Sequence, residues 1–137
     1  MQPYTSGSTG KPKGVLLAHG GQIWNADALR KAALVDDAER GLVAVPLFHK
    51  NAMAGVVKPF LLAGGSMVIL PGFDAKEVIR AIDQHRVTYL TGVPAMYKMI
   101  LAETEMLSDV ARSKHVAIFL HRLDNVDTEP QSLAFRL

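Results

Sequence analysis

The stretch SMVILPGFDAKEVIRAIDQHRVTYLTGVPAM, residues 66–96, alternates strand-like and helix-like sequence. Ser66–Leu70 is a predicted strand, which Gly65 precedes and a Pro-Gly pair, typical of a turn, follows. Phe73–His85 then has the apolar periodicity of a helix. Val87–Leu90 reads as a second strand, and Pro94 stands where a proline favours the first turn of another helix. This order of elements predicts a parallel βαβ unit.

The helix predicted over Phe73–His85 carries its own start signal. Asp74 is a residue type that caps helices, and Glu77 stands three positions further on, as in a capping box. The apolar residues fall at i, i+3, i+4 and i+7: Ala75, Val78, Ile79 and Ile82. This spacing predicts one continuous apolar stripe along the helix.

The same alternation extends over the rest of the chain. The predicted strands are Val15–Ala18, Leu42–Val45 and Val116–Leu120, and the predicted helices are Gly20–Val35, Ala52–Leu62 and one beginning at Pro94. In Gly20–Val35, Trp24 lies at helical spacing with other apolar residues and is expected in the core or an interface. Pro59 is expected to kink or break the helix Ala52–Leu62. The predicted fold class is therefore α/β, with alternating strands and helices that form part of a mostly parallel sheet.

Composition narrows the function classes. The chain has 137 residues, 49% of them hydrophobic and 20% charged, which fits one globular domain. A net charge of only +2 argues against nucleic acid as a partner. The absence of cysteine excludes a disulfide framework, a thiolate nucleophile and a zinc–thiolate site. We find no transmembrane segment and no signal peptide, and we expect a cytoplasmic protein of unspecified oligomeric state.

The segment Tyr4–Val15, YTSGSTGKPKGV, carries the clearest chemistry. Its glycines let backbone N–H groups approach an anion closely, and its hydroxyl groups add four donors. Lys11 and Lys13 add positive charge, and the first acidic residue of the chain is Asp27. These properties suit a polyphosphate, although a solvated Gly/Ser linker has the same composition. The glycine spacing does not match a Walker A loop.

The twelve residues of Tyr4–Val15 resemble the signature loop of the adenylate-forming superfamily. That superfamily includes acyl-CoA synthetases, the adenylation domains of nonribosomal peptide synthetases, and luciferases. The resemblance implies a loop that holds the β- and γ-phosphates of ATP while a carboxylate attacks the α-phosphate. The implied phosphate-binding residues are Thr5, Ser6, Gly7, Ser8, Thr9, Gly10 and Lys11, and Lys13 corresponds to a second lysine of the family.

Three further segments resemble the same family, and one of them, Leu62–Pro71, is similar to a tight Gly-Gly turn of purely architectural function. Val45–Gly55, VPLFHKNAMAG, is similar to a segment that lines the carboxylate-substrate pocket, which implies that Phe48 forms a wall and His49 orients the carboxylate. A loop histidine bonded to the backbone is the alternative for His49. Val87–Met96 is similar to the segment beside the acyl pocket, which implies that Gly92, Val93 and Pro94 place backbone near the substrate. An ordinary strand–turn–helix connection explains these three residues equally well.

The resemblance extends from Gln2 to Leu120. We therefore predict that residues 1–120 are a fragment of an AMP-binding large domain and that residues 121–137 are a divergent tail produced by truncation or a frameshift. The family's Tyr-Gly-x-Thr-Glu segment, its ribose-binding aspartate and the lysine of its small C-terminal domain have no counterpart in this sequence. Consequently no catalytic residue and no metal ligand are assigned within the chain.

The resemblance implies an acyl-CoA synthetase that uses ATP with Mg²⁺, a small carboxylic acid, and CoA as the thiol acceptor. The residues near the predicted pocket are apolar and favour a fatty or other apolar acid: Phe48, Ala52, Met53, Val93, Ala95 and Met96. One alternative is the amino-acid adenylation domain of a peptide synthetase, which would need an aspartate for the substrate ammonium. The other is a non-catalytic remnant that binds nucleotide weakly or not at all.

Overall fold

A computed structural model describes residues 2–5, 10–104 and 134–136. The strands are β1 (Tyr4–Thr5), β2 (Lys13–Gly14), β3 (Arg40–Val43), β4 (Ser66–Ile69), β5 (Tyr89–Thr91) and β6 (Ala134–Arg136). The helices are α1 (His19–Ala32), α2 (Lys50–Ala52), α3 (Lys58–Ala63), α4 (Ala75–His85) and α5 (Pro94–Thr104), and a π-helical turn (Met53–Val57) joins α2 to α3.

The main sheet has four strands in the order β4-β3-β5-β6. Strand β3 pairs parallel with both neighbours, so that Leu42 lies opposite Val68 of β4 and Leu90 of β5. Strand β6 joins the far edge antiparallel to β5. The predicted α/β class and the mostly parallel sheet are therefore confirmed.

Apolar side chains cover both faces of this sheet. On one face, Leu42 and Leu90 pack in a cluster with the buried residues of α4 and α5. On the other face, Val43 and Tyr89 pack with Phe60 and the π-helical turn. A central parallel strand is buried on both sides, and this explains why the three residues of β3 that follow Arg40 are buried.

Helix α4 forms as its sequence predicts. The Oδ1 atom of Asp74 accepts the backbone N–H of Glu77 at 3.0 Å, which satisfies one of the free donors of the first turn. The Glu77 carboxylate pairs with Arg80 instead of returning to the cap, so only half of the capping box forms. The predicted stripe of Ala75, Val78, Ile79 and Ile82 is fully buried.

Arg86 ends helix α4 in the left-handed conformation, with φ 50° and ψ 53°. A Cβ atom makes this conformation costly, and glycine is the residue usually found there. We expect Arg86→Gly to raise the free energy of unfolding by about 0.5–1 kcal/mol, as measured by urea denaturation. Arg80→Gly, in the interior of the same helix, is the control and should lower it by about 1 kcal/mol. A less stable Arg86→Gly variant would contradict the prediction.

The prediction of a strand over Val15–Ala18 is wrong. The strand lies two residues earlier, at Lys13–Gly14, and pairs antiparallel with Tyr4–Thr5. The Val15 N–H still donates to the Pro3 carbonyl at 2.9 Å, but the chain then leaves its partner. A strand needs a neighbouring strand to pair with, and an apolar sequence alone does not supply one.

Helix α1 confirms the predicted helix but not a core position for Trp24. Trp24 is 73% exposed and Ile23 is 47% exposed, whereas Ala26 is the buried residue of this helix. Helix α1 packs mainly against α3. Periodicity therefore located the helix but not the face that it buries.

Pro59 does not break the helical segment that contains it. The chain is helical from Lys50 to Ala63, and Pro59 is the second residue of α3. Just before it, the Lys58 N–H donates to the Met53 carbonyl, five residues back, as in a π-helix. The wider turn at this junction accommodates a residue that has no N–H donor. The predicted strand Val116–Leu120 lies outside the described residues.

Candidate functional site

The predicted phosphate loop is the connection of a small hairpin. Strands β1 and β2 place Thr5 opposite Lys13, and the Thr5 hydroxyl lies 3.5 Å from the Lys13 carbonyl oxygen. Gly10 has φ 77°, a left-handed conformation that glycine adopts without strain. Gly7 and the hydroxyl residues Ser6, Ser8 and Thr9 lie outside the described residues. The structure thus brings the two ends of the predicted loop together.

The hairpin keeps its positive charge. Lys11 and Lys13 are both exposed, and neither forms an ion pair with a carboxylate in the part of the chain that the structure describes. Asp27, the first acidic residue, is already paired with Arg30 at 2.8 Å and Lys31 at 2.6 Å. Hydrogen bonds from Lys31 and Arg30 hold the pKa of Asp27 below its usual range. The two hairpin lysines are thus available to an anion.

The two predicted pocket segments follow neighbouring parallel strands. The loop that carries Phe48 and His49 comes after β3, and the turn Gly92–Pro94 comes directly after β5. Because β3 and β5 are adjacent and parallel, both segments leave the sheet at the same edge. This carboxyl edge is where open parallel sheets bind ligands.

Exposure differs among the predicted pocket residues. Phe48 is 90% exposed, and Val93 and Pro94 are also exposed, whereas Gly92 is buried. The exposed Phe48 and Val93 give this edge apolar surface. That surface suits contact with the apolar part of a ligand.

His49 has a clear structural contact. It precedes α2, where its Nδ1 atom accepts the backbone N–H of Asn51 at 3.3 Å. Its own backbone N–H donates to the Pro46 carbonyl at 2.8 Å. Nδ1 is therefore the acceptor nitrogen, and a role toward a substrate carboxylate would fall to Nε2. That role stays a prediction.

The sequence did not reveal the residues that hold the Gly92–Pro94 turn in place. Tyr97 is buried, and its phenol oxygen is hydrogen-bonded to the backbone of Gly92. A Cβ atom on Gly55, in the π-helical turn, would lie 3.1 Å from Cγ2 of Thr91. Helical spacing placed Tyr97 on an inner face, but only the fold brings Gly55 against Thr91.

Metal-ligating side chains do not cluster in the described part of the chain. In residues 2–5 and 10–104, no three side chains of the His, Asp or Glu type come together. The hairpin itself offers hydroxyls and ammonium groups, and Mg²⁺ normally requires carboxylates or phosphate oxygens. No helix in the described ranges is long and apolar enough to span a membrane.

A parallel sheet with helices on both faces, a basic glycine hairpin and an apolar carboxyl edge define an α/β ligand-binding fold. The family model described as "AMP-binding enzyme" matches residues 1–127. The chain belongs to this family.

Two curated relatives illustrate the similarity. The chain is 49% identical over 100 residues to the feruloyl-CoA synthase of Amycolatopsis sp, and this match covers 72% of the chain and 20% of the relative. It is 35% identical over 105 residues to a long-chain-fatty-acid–CoA ligase of Bacillus subtilis, covering 75% of the chain and 19% of the relative. The chain thus spans about one-fifth of the length of the relatives that it matches.

A comparison with solved structures leads to the same family. The o-succinylbenzoate coenzyme A synthetase of Bacillus subtilis, solved in complex with ATP and a magnesium ion, matches with a TM-score of 0.68 and 31% identity. The match covers 74% of this chain and 21% of that one. The fold described above therefore corresponds to one part of a larger adenylate-forming enzyme.

Proposed function

We propose that this chain is the ATP-phosphate-binding and carboxylate-binding part of an acid–CoA ligase. The observation that carries the proposal is the exposed dibasic glycine hairpin, in a chain whose two predicted pocket segments leave the parallel sheet at one edge. The relatives described above support the proposal, because each of them is named as an acid–CoA ligase or synthetase. The expected location is the cytoplasm, where both ATP and CoA are supplied.

The reaction of the whole enzyme has two steps. The substrate carboxylate attacks the α-phosphorus of ATP, the bond to the β-phosphate breaks, and acyl-adenylate and pyrophosphate form. The thiol of CoA then attacks the acyl carbon, AMP leaves, and the thiol proton is released to solvent. Catalysis of the first step rests on positioning and on neutralising phosphate charge, and Lys11 and Lys13 would contribute to the second of these effects.

The proposed substrate is a fatty or other apolar acid. The support is the apolar character of the carboxyl edge, where Phe48 and Val93 are exposed. The relatives named above act on an aromatic acid and on long-chain fatty acids, and both classes present an apolar body to such a surface. Chain length would depend on parts of the pocket outside this chain.

A hybrid enzyme tests the proposal. Residues 2–104 of this chain would replace the matching segment of the Amycolatopsis feruloyl-CoA synthase, and formation of feruloyl-CoA would be measured. We expect the hybrid to retain activity and the same hybrid with Lys11→Ala to lose at least about tenfold in kcat/KM. A folded hybrid without activity would contradict the proposed function.

The 137-residue chain by itself should bind Mg-ATP only weakly and turn over negligibly, because one phosphate clamp supplies a small part of the positioning that adenylation needs. Calorimetric titration with Mg-ATP and a pyrophosphate-release assay with ferulate and palmitate would measure both properties. Robust release of pyrophosphate by the isolated chain would show that this part of the proposal is wrong.

A further inference from the structure

Tyr97 connects helix α5 to the turn that follows β5. Its side chain is 2% exposed, and the backbone N–H of Gly92 hydrogen bonds to its phenol oxygen. Burial raises the pKa of Tyr97 well above its ordinary value, so the phenol is neutral at physiological pH. A neutral phenol oxygen that accepts a buried amide is a fixed anchor for that amide.

The packing around Gly92 holds the turn on the same helix. A Cβ atom on Gly92 would lie 3.1 Å from Sδ and Cε of Met96 and 3.6 Å from Cζ of Tyr97. The Met96 N–H also donates to the Val93 carbonyl at 2.9 Å. The turn is therefore fixed to α5 by hydrogen bonds and by close van der Waals contact.

The opposite side of β5 is fixed by the π-helical turn. Gly55 approaches Thr91 so closely that a Cβ atom would lie 3.1 Å from its methyl group. The helical segment that contains Gly55 begins directly after His49. The end of β5 thus lies between two helical segments, one that anchors Gly92 and one that leads back to the predicted carboxylate-binding loop.

We propose that Tyr97 is a positioning residue of the carboxylate pocket: by holding Gly92, it sets where Val93 and Pro94 stand relative to Phe48 and His49. This inference rests on the proposed function. Tyr97 does not touch the substrate in this scheme and acts only through the turn. Without the phenol oxygen, the Gly92 amide would lose its buried acceptor and the turn would shift to find another.

The test compares Tyr97→Phe with Tyr89→Phe in the full 137-residue chain. Tyr89 is the matched control because it is also buried, with its pKa raised by burial, but it packs on Phe60 in the cluster on the other face of the sheet. Amide hydrogen exchange measured by NMR gives the state of Gly92, and ferulate titration of the same samples gives the affinity of the pocket.

We expect Tyr97→Phe to accelerate exchange of the Gly92 amide at least about tenfold while the Leu42 amide of the central strand is unchanged. Ferulate affinity, followed by the Val93 amide shift, should fall about tenfold, and Tyr89→Phe should change neither quantity. Gly92→Ala displaces the turn with the Tyr97 hydroxyl intact, because its Cβ atom would lie 3.1 Å from Met96, and it should weaken ferulate binding to a similar extent.

Unchanged Gly92 exchange in Tyr97→Phe would overturn the anchoring role. Faster exchange with unchanged ferulate affinity would make Tyr97 a purely structural residue and would also overturn the proposal. If the wild-type chain shows no ferulate-dependent shift at Val93, the proposed function fails together with the pocket that Tyr97 would position. The exchange data, which need no ligand, separate that failure from a failure of the Tyr97–Gly92 bond.

Discussion

Lys11→Ala should weaken ATP binding to this chain by about 10- to 100-fold. A hydrogen bond between an ammonium group and a phosphate contributes about 1.5–3 kcal/mol, and each 1.4 kcal/mol corresponds to a factor of ten. Lys11 directly follows Gly10, whose left-handed backbone turns the chain back toward β2. Its ammonium is exposed and unpaired among the described residues, so no internal ion pair competes with the phosphate.

Calorimetry with Mg-ATP measures this effect, and Lys98→Ala is the matched control. Lys98 is an exposed lysine of helix α5, so its removal changes the net charge equally without touching the hairpin. We expect Lys98→Ala to change the affinity by less than about twofold, because a distant surface charge is screened by salt. Lys13→Ala should act in the same direction as Lys11→Ala.

If Lys11→Ala and Lys98→Ala reduce ATP affinity equally, the hairpin is not a specific phosphate site. The chain would then fit the alternative of a remnant that attracts nucleotide only through net charge. If neither the wild-type chain nor any variant binds ATP at millimolar concentration, the remnant without nucleotide binding is the better description.

Gly41→Ala should lower the free energy of unfolding by about 2–3 kcal/mol. Gly41 lies in β3, the central strand, and a Cβ atom there would stand 2.6 Å from Cγ1 of Val56 and 3.1 Å from the ring of Phe60. Phe60 is completely buried and packs against Tyr89 with ring centroids 5.3 Å apart, so it has no room to withdraw. Overpacking of this kind typically lowers the free energy of unfolding by about 1–3 kcal/mol. Because the approach to Val56 is so short, we expect Gly41→Ala to fall at the upper end of this range.

Urea denaturation of Gly41→Ala, followed by circular dichroism, measures this loss. Val56→Ala removes the atom of closest approach, so the double variant should be more stable than the sum of the two single losses predicts. Gly21→Ala is the control: a Cβ atom at Gly21 would meet nothing within 4 Å, and the residue lies inside helix α1. It should stabilise the chain by about 0.5–1 kcal/mol. Strict additivity of the Gly41 and Val56 substitutions would contradict the packing described here.

The resemblance to the adenylate-forming superfamily came from a local segment, and the family comparison confirms it. The twelve residues Tyr4–Val15 are contiguous, so their order could be recognised without any knowledge of the fold. The sequence alone could not show that Phe48 and Gly92 lie in one region of the fold, because these residues are 44 positions apart. Only the parallel pairing of β3 with β5 brings their segments to one edge.

The two helices with apolar periodicity show where sequence reasoning stops. Helix α4 buries its whole stripe, including Val78 and Ile82, because it lies on the sheet. Helix α1 has a less regular apolar stripe and packs mainly against the short helix α3, and Trp24 stays exposed. Apolar periodicity indicates which face of a helix could be buried, but burial requires a partner surface of sufficient area.

The sequence by itself determined the elements whose stabilising contacts lie within a few residues: the cap of α4 at Asp74 and the start of α5 at Pro94. Such contacts form within one or two turns and need no distant partner. Only the tertiary structure decided which helix faces are covered, where the π-helical turn accommodates Pro59, and how Tyr97 reaches Gly92. These outcomes depend on close packing between separate segments, and the spacing of residues along a chain does not encode packing distances.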